Sequence, residues 1–130
     1  MEIKDLIKQA YKTAEEHGFY EGYFKSLNKY LVAKGALVSK ETEESSEYEK
    51  EVCNVYLSSY INLIISELSE ATQEIRKGNN ENMIKELADV YIRLSSLIGA
   101  IGYDEELEEA LKEKLEINKK REFKHGKVIW

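Results

Sequence analysis

The sequence predicts an all-α protein, and three observations support this. The 130 residues contain no proline, the residue that helix interiors tolerate least. The seven glycines fall mostly at points where apolar periodicity stops, as expected of helix ends. Between these points apolar residues recur every three to four positions, the period of an amphipathic helix. We therefore expect a bundle of four to five helices in a single domain over residues 1–130.

The first half of the chain contains two predicted helices and a polar stretch. Residues from about 2 to 17 carry apolar side chains at helical spacing, and Gly18 ends this segment. A weaker second helix is predicted over about 22–34, closed by Gly35. Residues 39–51 are acidic and polar, which predicts a solvated loop or a frayed helix start.

The second half contains three more predicted helices. The longest covers about 48–77, and the glycine and asparagines at 78–80 break it, with either asparagine able to cap the next helix. The fourth helix carries apolar residues at alternating steps of four and three, a pattern typical of a bundle seam. These residues are Met83, Leu87, Val90, Leu94, Leu97 and Ile101. The fifth helix is predicted over about 105–121, capped by Asp104.

The composition excludes several classes of protein. The net charge of −6 disfavours a protein that coats a nucleic acid polymer, because such proteins are basic. One cysteine, Cys53, rules out an internal disulfide framework and a cysteine-based zinc site. No apolar run approaches the ~18 residues of a membrane helix, and the charged first residues do not fit a secretory signal. We expect a cytoplasmic protein without a membrane partner.

Two pairs of acidic residues stand in the most apolar parts of the chain. Glu67 and Glu70 form one pair, and Glu86 and Asp89 form the other. Residues three apart share a helix face, and the short break between the helices predicts antiparallel neighbours. Four carboxylates would then converge, and a divalent cation would relieve their repulsion. An all-oxygen donor set favours Mg²⁺ or Mn²⁺ over Zn²⁺.

A purely structural explanation of these acids stays open at this point. Other acid pairs with the same spacing occur on charged helix surfaces along the chain, so spacing alone is a weak signal. The acids could also be neutralised by basic side chains. Arg93 lies four residues after Asp89, which is the spacing of a helical ion pair.

At these residues the chain resembles the MazG-like nucleoside triphosphate pyrophosphohydrolases, within the all-α NTP pyrophosphatase superfamily. The metal motif of that family is Glu-x-x-Glu, a spacer, then Glu-x-x-Asp. Here Glu67 and Glu70 are followed, after 15 intervening residues, by Glu86 and Asp89. A second matching block consists of Lys114, Asn118, Arg121, His125 and Gly126.

The resemblance implies Mg²⁺-dependent cleavage of a nucleoside triphosphate between its α and β phosphates, with Mn²⁺ as a possible substitute. The products would be a nucleoside monophosphate and pyrophosphate. By the same resemblance Glu67, Glu70, Glu86 and Asp89 are metal ligands. Glu70, or alternatively Glu67, would orient or deprotonate the attacking water.

The resemblance also assigns the remaining parts of the site. Lys114, Asn118 and Arg121 share one face of the last helix and would bind phosphate oxygens, with Lys127 adding to them from the tail. Lys114 and Arg121 could instead be ordinary charges on a solvated helix surface. Phe19 and Tyr20 are candidates for contact with the base, although an aromatic pair of this kind is more often part of a core.

Several alternatives remain beside this prediction. Within the same superfamily, the chain could be an all-α dUTPase or dCTPase, or a phosphoribosyl-ATP pyrophosphohydrolase. Outside it, a non-enzymatic helical interaction module would use the same apolar seams to bind a partner. Apolar residues on more than one side of the helices predict oligomerisation, and the resemblance implies a homodimer or homotetramer.

Overall fold

The computed structural model describes residues 1–35 and 40–121, and every regular element in these ranges is an α-helix. This confirms the predicted all-α class. The helices are α1 (Ile3–Glu16), α2 (Glu21–Gly35), α3 (Lys40–Arg76), α4 (Asn80–Ile101) and α5 (Asp104–Lys119). None of them is long and apolar enough to cross a membrane.

The third helix starts earlier than the periodicity suggested. Residues 40–51 continue directly into the longest helix, so helix rather than loop is observed there, while Ser39 lies outside the described residues. At 37 residues α3 is about 55 Å long. Its first half packs against α2 and its second half against α4, so this one helix connects two parts of the fold.

The turn between α3 and α4 makes these helices antiparallel neighbours, as predicted. Gly78 has a φ of +72°, a left-handed conformation that side chains with a Cβ rarely adopt. Asn79 then caps α4, because its side-chain oxygen accepts a hydrogen bond from the backbone N–H of Asn82 at 3.0 Å. The turn thereby brings residues near 67–70 opposite residues near 86–93.

Four helices pack in the spatial order α2, α3, α4, α1, with extensive contact between successive members. Glycines allow close approach at two of these interfaces. A Cβ at Gly99 of α4 would lie 2.6 Å from the Cβ of Tyr11 on α1. A Cβ at Gly22 of α2 would collide with the hydroxyl end of Tyr56 on α3.

The core is centred on a group of aromatic side chains where the turn after α1 meets α2 and α3. We call this group the aromatic corner; it consists of Phe19, Tyr20, Tyr23, Tyr56 and Tyr60. Tyr20 is only 1% exposed, and its hydroxyl lies 2.6 Å from the hydroxyl of Ser96 on α4. Cys53, Ile64, Val90 and Leu97 extend the same core along α3 and α4.

The fifth helix lies apart from this core. Its main contacts are with α1 and α4 and are sparse, and none of its residues is buried. Its apolar residues Leu111, Leu115 and Ile117 are 40%, 61% and 40% exposed.

Candidate metal and nucleotide site

Three of the predicted carboxylates meet between α3 and α4. Glu67 and Glu70 reach from α3 and Glu86 reaches from α4. One oxygen from each lies within 4.8 Å of the others. We call these three residues the acid cluster. It forms because the Gly78 turn folds α4 back along α3, so that both Glu-x-x-acid segments lie at the same level.

The electrostatics of the acid cluster are unfavourable without a cation. Glu86 Oε2 is buried and has no hydrogen-bond partner among the described residues. The pKa of Glu86 is raised from 4.5 to about 7, first by burial and then by Glu67 and Glu70. Glu67 and Glu70 accept hydrogen bonds from the protonated form of Glu86, and their negative charges disfavour its ionised form. A bound divalent cation would remove the same repulsion, so the donor set fits a hard metal ion.

Arg93 forms an ion pair with the acid cluster. Its Nε donates a hydrogen bond to Glu67 Oε1 at 3.0 Å. The arginine side chain is 39% exposed and the glutamate side chain 14%. The alternative drawn from sequence, that Arg93 neutralises an acid, therefore applies, but its observed partner is Glu67 on α3 and not Asp89 on its own helix.

Asp89 is not part of the acid cluster. It lies one turn after Glu86 on α4, is exposed, and lines a neighbouring cleft. The structure therefore brings together three of the four carboxylates predicted as metal ligands and places the fourth at their edge.

This cleft runs between α1 and α4 and has a volume of about 600 Å³. Its walls are mostly apolar, and Phe19, Tyr20 and Tyr60 of the aromatic corner are among them. Asp89 and Arg93 line it as well, so it adjoins the acid cluster. Its remaining lining residues are Met1, Leu6, Gln9, Ala10, Thr13, Ala14, His17, Ile92 and Ser96.

The two predicted base-contact residues lie at this cleft in different environments. Phe19 is 39% exposed and packs against the rings of Tyr20 and Tyr60, at 5.0 and 5.1 Å between centroids. Tyr20 is buried, and its hydroxyl is paired with Ser96. Of the two, only Phe19 offers substantial surface to a ligand.

The predicted phosphate-binding residues lie elsewhere. Lys114, Asn118 and Arg121 are exposed on or just after α5. None of the described hydrogen bonds or ion pairs connects them to the acid cluster. Lys127 is outside the described residues.

Sequence reasoning missed the polar side of the cleft. Gln9, Thr13 and His17 recur every four residues along α1 and all line the cleft. The Nδ1 of His17 lies 2.7 Å from the carbonyl oxygen of Thr13 and donates to it. The four-residue spacing of these polar residues was a readable signal, but nothing in the sequence indicated which surface they would face.

Converging carboxylates from two antiparallel helices, two of them half-buried, lie next to a cleft. They define an all-α protein with a site suited to a metal and an anionic ligand. The family model of the MazG nucleotide pyrophosphohydrolase domain matches residues 56–128, more than half of the chain. The chain therefore belongs to the MazG nucleotide pyrophosphohydrolase family. Comparison with curated proteins gave no match, and comparison with solved structures gave none either.

Proposed function

We propose that this protein hydrolyses a nucleoside triphosphate or deoxynucleoside triphosphate between the α and β phosphates, with Mg²⁺ as cofactor. The observation that carries the proposal is the acid cluster with its unpartnered Glu86 oxygen. Membership of the MazG family supports nucleotide pyrophosphohydrolase activity in general. The products would be a nucleoside monophosphate and pyrophosphate.

Glu67, Glu70 and Glu86 would hold the metal ion, and Asp89 would join them as the fourth acid of the motif. Mg²⁺ is the expected ion, and Mn²⁺ would serve the same oxygen donors. When bound, such an ion polarises phosphoryl oxygens and lowers the pKa of a coordinated water.

The carboxylates of the chain also supply a proton acceptor. Hydrolysis breaks the α–β anhydride bond, forms one new bond from phosphorus to a water oxygen, and releases a proton. We assign the acceptance of this proton to Glu70, with Glu67 as the alternative. Glu70 is the more exposed of the two and has no ion-pair partner among the described residues, whereas Glu67 is paired with Arg93.

The cleft is our candidate for the nucleoside. Its volume of about 600 Å³ lies within the usual ~300–1,000 Å³ of small-molecule sites, and its walls are mostly apolar, as is typical of them. The exposed face of Phe19 would stack on the base. Tyr20 would act through packing, because its buried ring supports Phe19 and Tyr60.

Further parts of the prediction concern the phosphates, the assembly and the compartment. The candidate phosphate ligands remain Lys114, Asn118, Arg121 and Lys127.

A homodimer or homotetramer would cover the apolar side chains that α5 leaves exposed, and light scattering at micromolar concentration tests this. The single cysteine, Cys53, is a buried free thiol, which supports a reducing compartment such as the cytoplasm.

Product analysis with a panel of nucleotides tests the reaction. The full chain is incubated with Mg²⁺ and each common NTP, dNTP and phosphoribosyl-ATP, alongside Glu67→Gln and the exposed control Glu51→Gln. We expect monophosphate and pyrophosphate from the wild type and from Glu51→Gln. The turnover rate of Glu67→Gln should be lower by roughly 100-fold or more, because the substitution removes a proposed metal ligand rather than an outer-shell contact.

The other outcomes discriminate between the alternatives. Turnover restricted to dUTP, dCTP or phosphoribosyl-ATP would assign the corresponding narrower activity. Diphosphate and phosphate as products would contradict the proposed bond. No turnover of any substrate would favour the non-enzymatic module.

A further inference from the structure

Arg93 belongs to both parts of the proposed site. Its Nε donates to Glu67 in the acid cluster at 3.0 Å, and its side chain lines the cleft beside Asp89. A triphosphate whose base occupies the cleft and whose phosphates reach the acid cluster must pass this position.

The guanidinium group has more donors than this contact uses. Arginine carries five N–H groups in one rigid plane, and the bond to Glu67 involves the one on Nε. Among the side chains that the structure describes, no hydrogen bond or ion pair to the terminal nitrogens is found. A guanidinium fixed through Nε holds its terminal nitrogens in a defined direction, which suits two-point binding of phosphate oxygens.

The charge distribution supports the same role. The acid cluster repels a polyphosphate, and Arg93 is the one cation that forms an ion pair with it in the described part of the chain. The basic residues of α5 have no described contact with these acids. Arg93 therefore supplies positive charge at the point where an anionic substrate approaches carboxylates.

We propose that Arg93 is a phosphate-binding residue that joins the metal site to the nucleoside cleft. It orients Glu67 through Nε and donates from its terminal nitrogens to the phosphate chain. This inference rests on the proposed function, since it assumes a nucleotide that spans the two regions.

A competing explanation is that Arg93 only neutralises the acid cluster. In that case its removal would tighten metal binding, because a positive charge leaves the cluster, and nucleotide affinity would not fall. The two explanations therefore differ in the nucleotide affinity that they predict for a variant without Arg93. Metal affinity is measured as well, to show that a loss of nucleotide binding is not caused by a loss of metal.

The test compares wild type, Arg93→Gln and Arg93→Lys with Arg76→Gln, an exposed arginine at the end of α3 that serves as the matched control. Binding of α,β-methylene dUTP and α,β-methylene ATP with Mg²⁺ is measured by calorimetry, because neither analogue is cleaved between the α and β phosphates. Titration with Mn²⁺ alone gives metal affinity, and thermal melting verifies folding.

We expect Arg93→Gln to weaken analogue binding roughly 10- to 100-fold, the usual range for a hydrogen bond to a charged group. Arg93→Lys should fall between this variant and wild type, since lysine keeps the charge and loses the planar fork. Mn²⁺ affinity should stay the same or increase, and Arg76→Gln should behave as wild type.

Failure of this inference is distinguishable from failure of the proposed function. Wild-type affinity in a folded Arg93→Gln or Arg93→Lys would overturn the role of Arg93 while leaving hydrolysis intact. Arg93-dependent binding without any turnover of natural nucleotides would overturn the proposed reaction and support the role of Arg93. Absence of analogue binding by wild type would overturn both.

Discussion

The acid cluster and the aromatic corner each take residues from neighbouring stretches of α3, and their buried polar atoms differ in whether they are hydrogen-bonded. In the aromatic corner two buried tyrosine hydroxyls have partners: that of Tyr20 lies 2.6 Å from the Ser96 hydroxyl, and that of Tyr60 donates to the Phe19 carbonyl at 3.4 Å. In the acid cluster a buried oxygen of Glu86 lacks one. Buried polar groups are normally paired, so an unpaired oxygen that lies among three converging carboxylates fits a site that an external cation completes.

Stability and function are therefore expected to depend on different stretches of α3 and on the residues that each stretch contacts. Changes in the aromatic corner should lower the free energy of unfolding. Changes in the acid cluster should leave it unchanged or raise it in the absence of metal, because they remove repulsion.

The largest effect on stability is expected for Tyr60→Ala. Tyr60 is 7% exposed and contacts four other aromatic rings, so truncation leaves a large cavity. We expect a loss of about 3–5 kcal/mol in the free energy of unfolding, measured in urea. The matched control is Tyr91→Ala, at a residue that is 68% exposed, with an expected change of at most about 0.5 kcal/mol. Equal losses in the two variants would contradict a core at this corner.

A smaller loss is expected for Gly99→Ala. The new methyl would lie 2.6 Å from Tyr11 Cβ, so α1 and α4 must separate. Overpacking of this kind costs about 1–3 kcal/mol, which urea unfolding measures. Gly35→Ala is the control, since no atom of the described residues lies within 4 Å of its added Cβ. If Gly99→Ala left the free energy of unfolding unchanged, α1 and α4 would be packed less closely than described. The cleft between them would then also be wider.

The hydrogen bond between Tyr20 and Ser96 should contribute to the stability of the aromatic corner. Tyr20→Phe leaves the buried Ser96 hydroxyl without its partner, at a cost of about 1–3 kcal/mol. The double variant Tyr20→Phe with Ser96→Ala should recover part of this loss, because no unpaired polar atom remains. A thermodynamic cycle of the four proteins measures the coupling, and strictly additive losses would argue against the hydrogen bond.

The smallest effect concerns pH and the metal-free protein. The pKa of Glu86 is raised to about 7 in the folded state, so the folded protein binds this proton more tightly than the unfolded chain. The resulting stabilisation is complete below about pH 4.5 and is lost as the pH rises through about 7. With a chelator present, the melting temperature should therefore decrease as the pH is raised from 5 to 8. The decrease should be smaller for Glu86→Gln. The same fall in both proteins would contradict the raised pKa, and Glu81→Gln controls for loss of a surface charge.

Much of the fold could be predicted from local signals. The absence of proline and the three-to-four spacing indicated helices, and α5 begins and ends within two residues of its predicted bounds. Residues 40–51 were harder, because a polar helix without an apolar stripe gives the same pattern as a loop. Their helical state continues that of α3, whose later residues pack in the core.

The candidate site was predictable in part. The two acid pairs and the turn between them indicated that Glu67, Glu70 and Glu86 would meet, and they do. Asp89 shares the same motif but points to the cleft, and Arg93 prefers Glu67 to its neighbour on α4. These outcomes depend on the rotation of each helix about its axis, which spacing does not specify.

The sequence by itself thus determined the helices, the turn at Gly78 and the opposed acid pairs, because each depends on residues close together in the chain. Only the tertiary structure decided that Tyr20 is core while Phe19 faces the cleft, that Arg93 connects this cleft to the acids, and that α5 stays uncovered. Those features arise from packing between helices distant in sequence, where small differences in rotation determine which side chains meet.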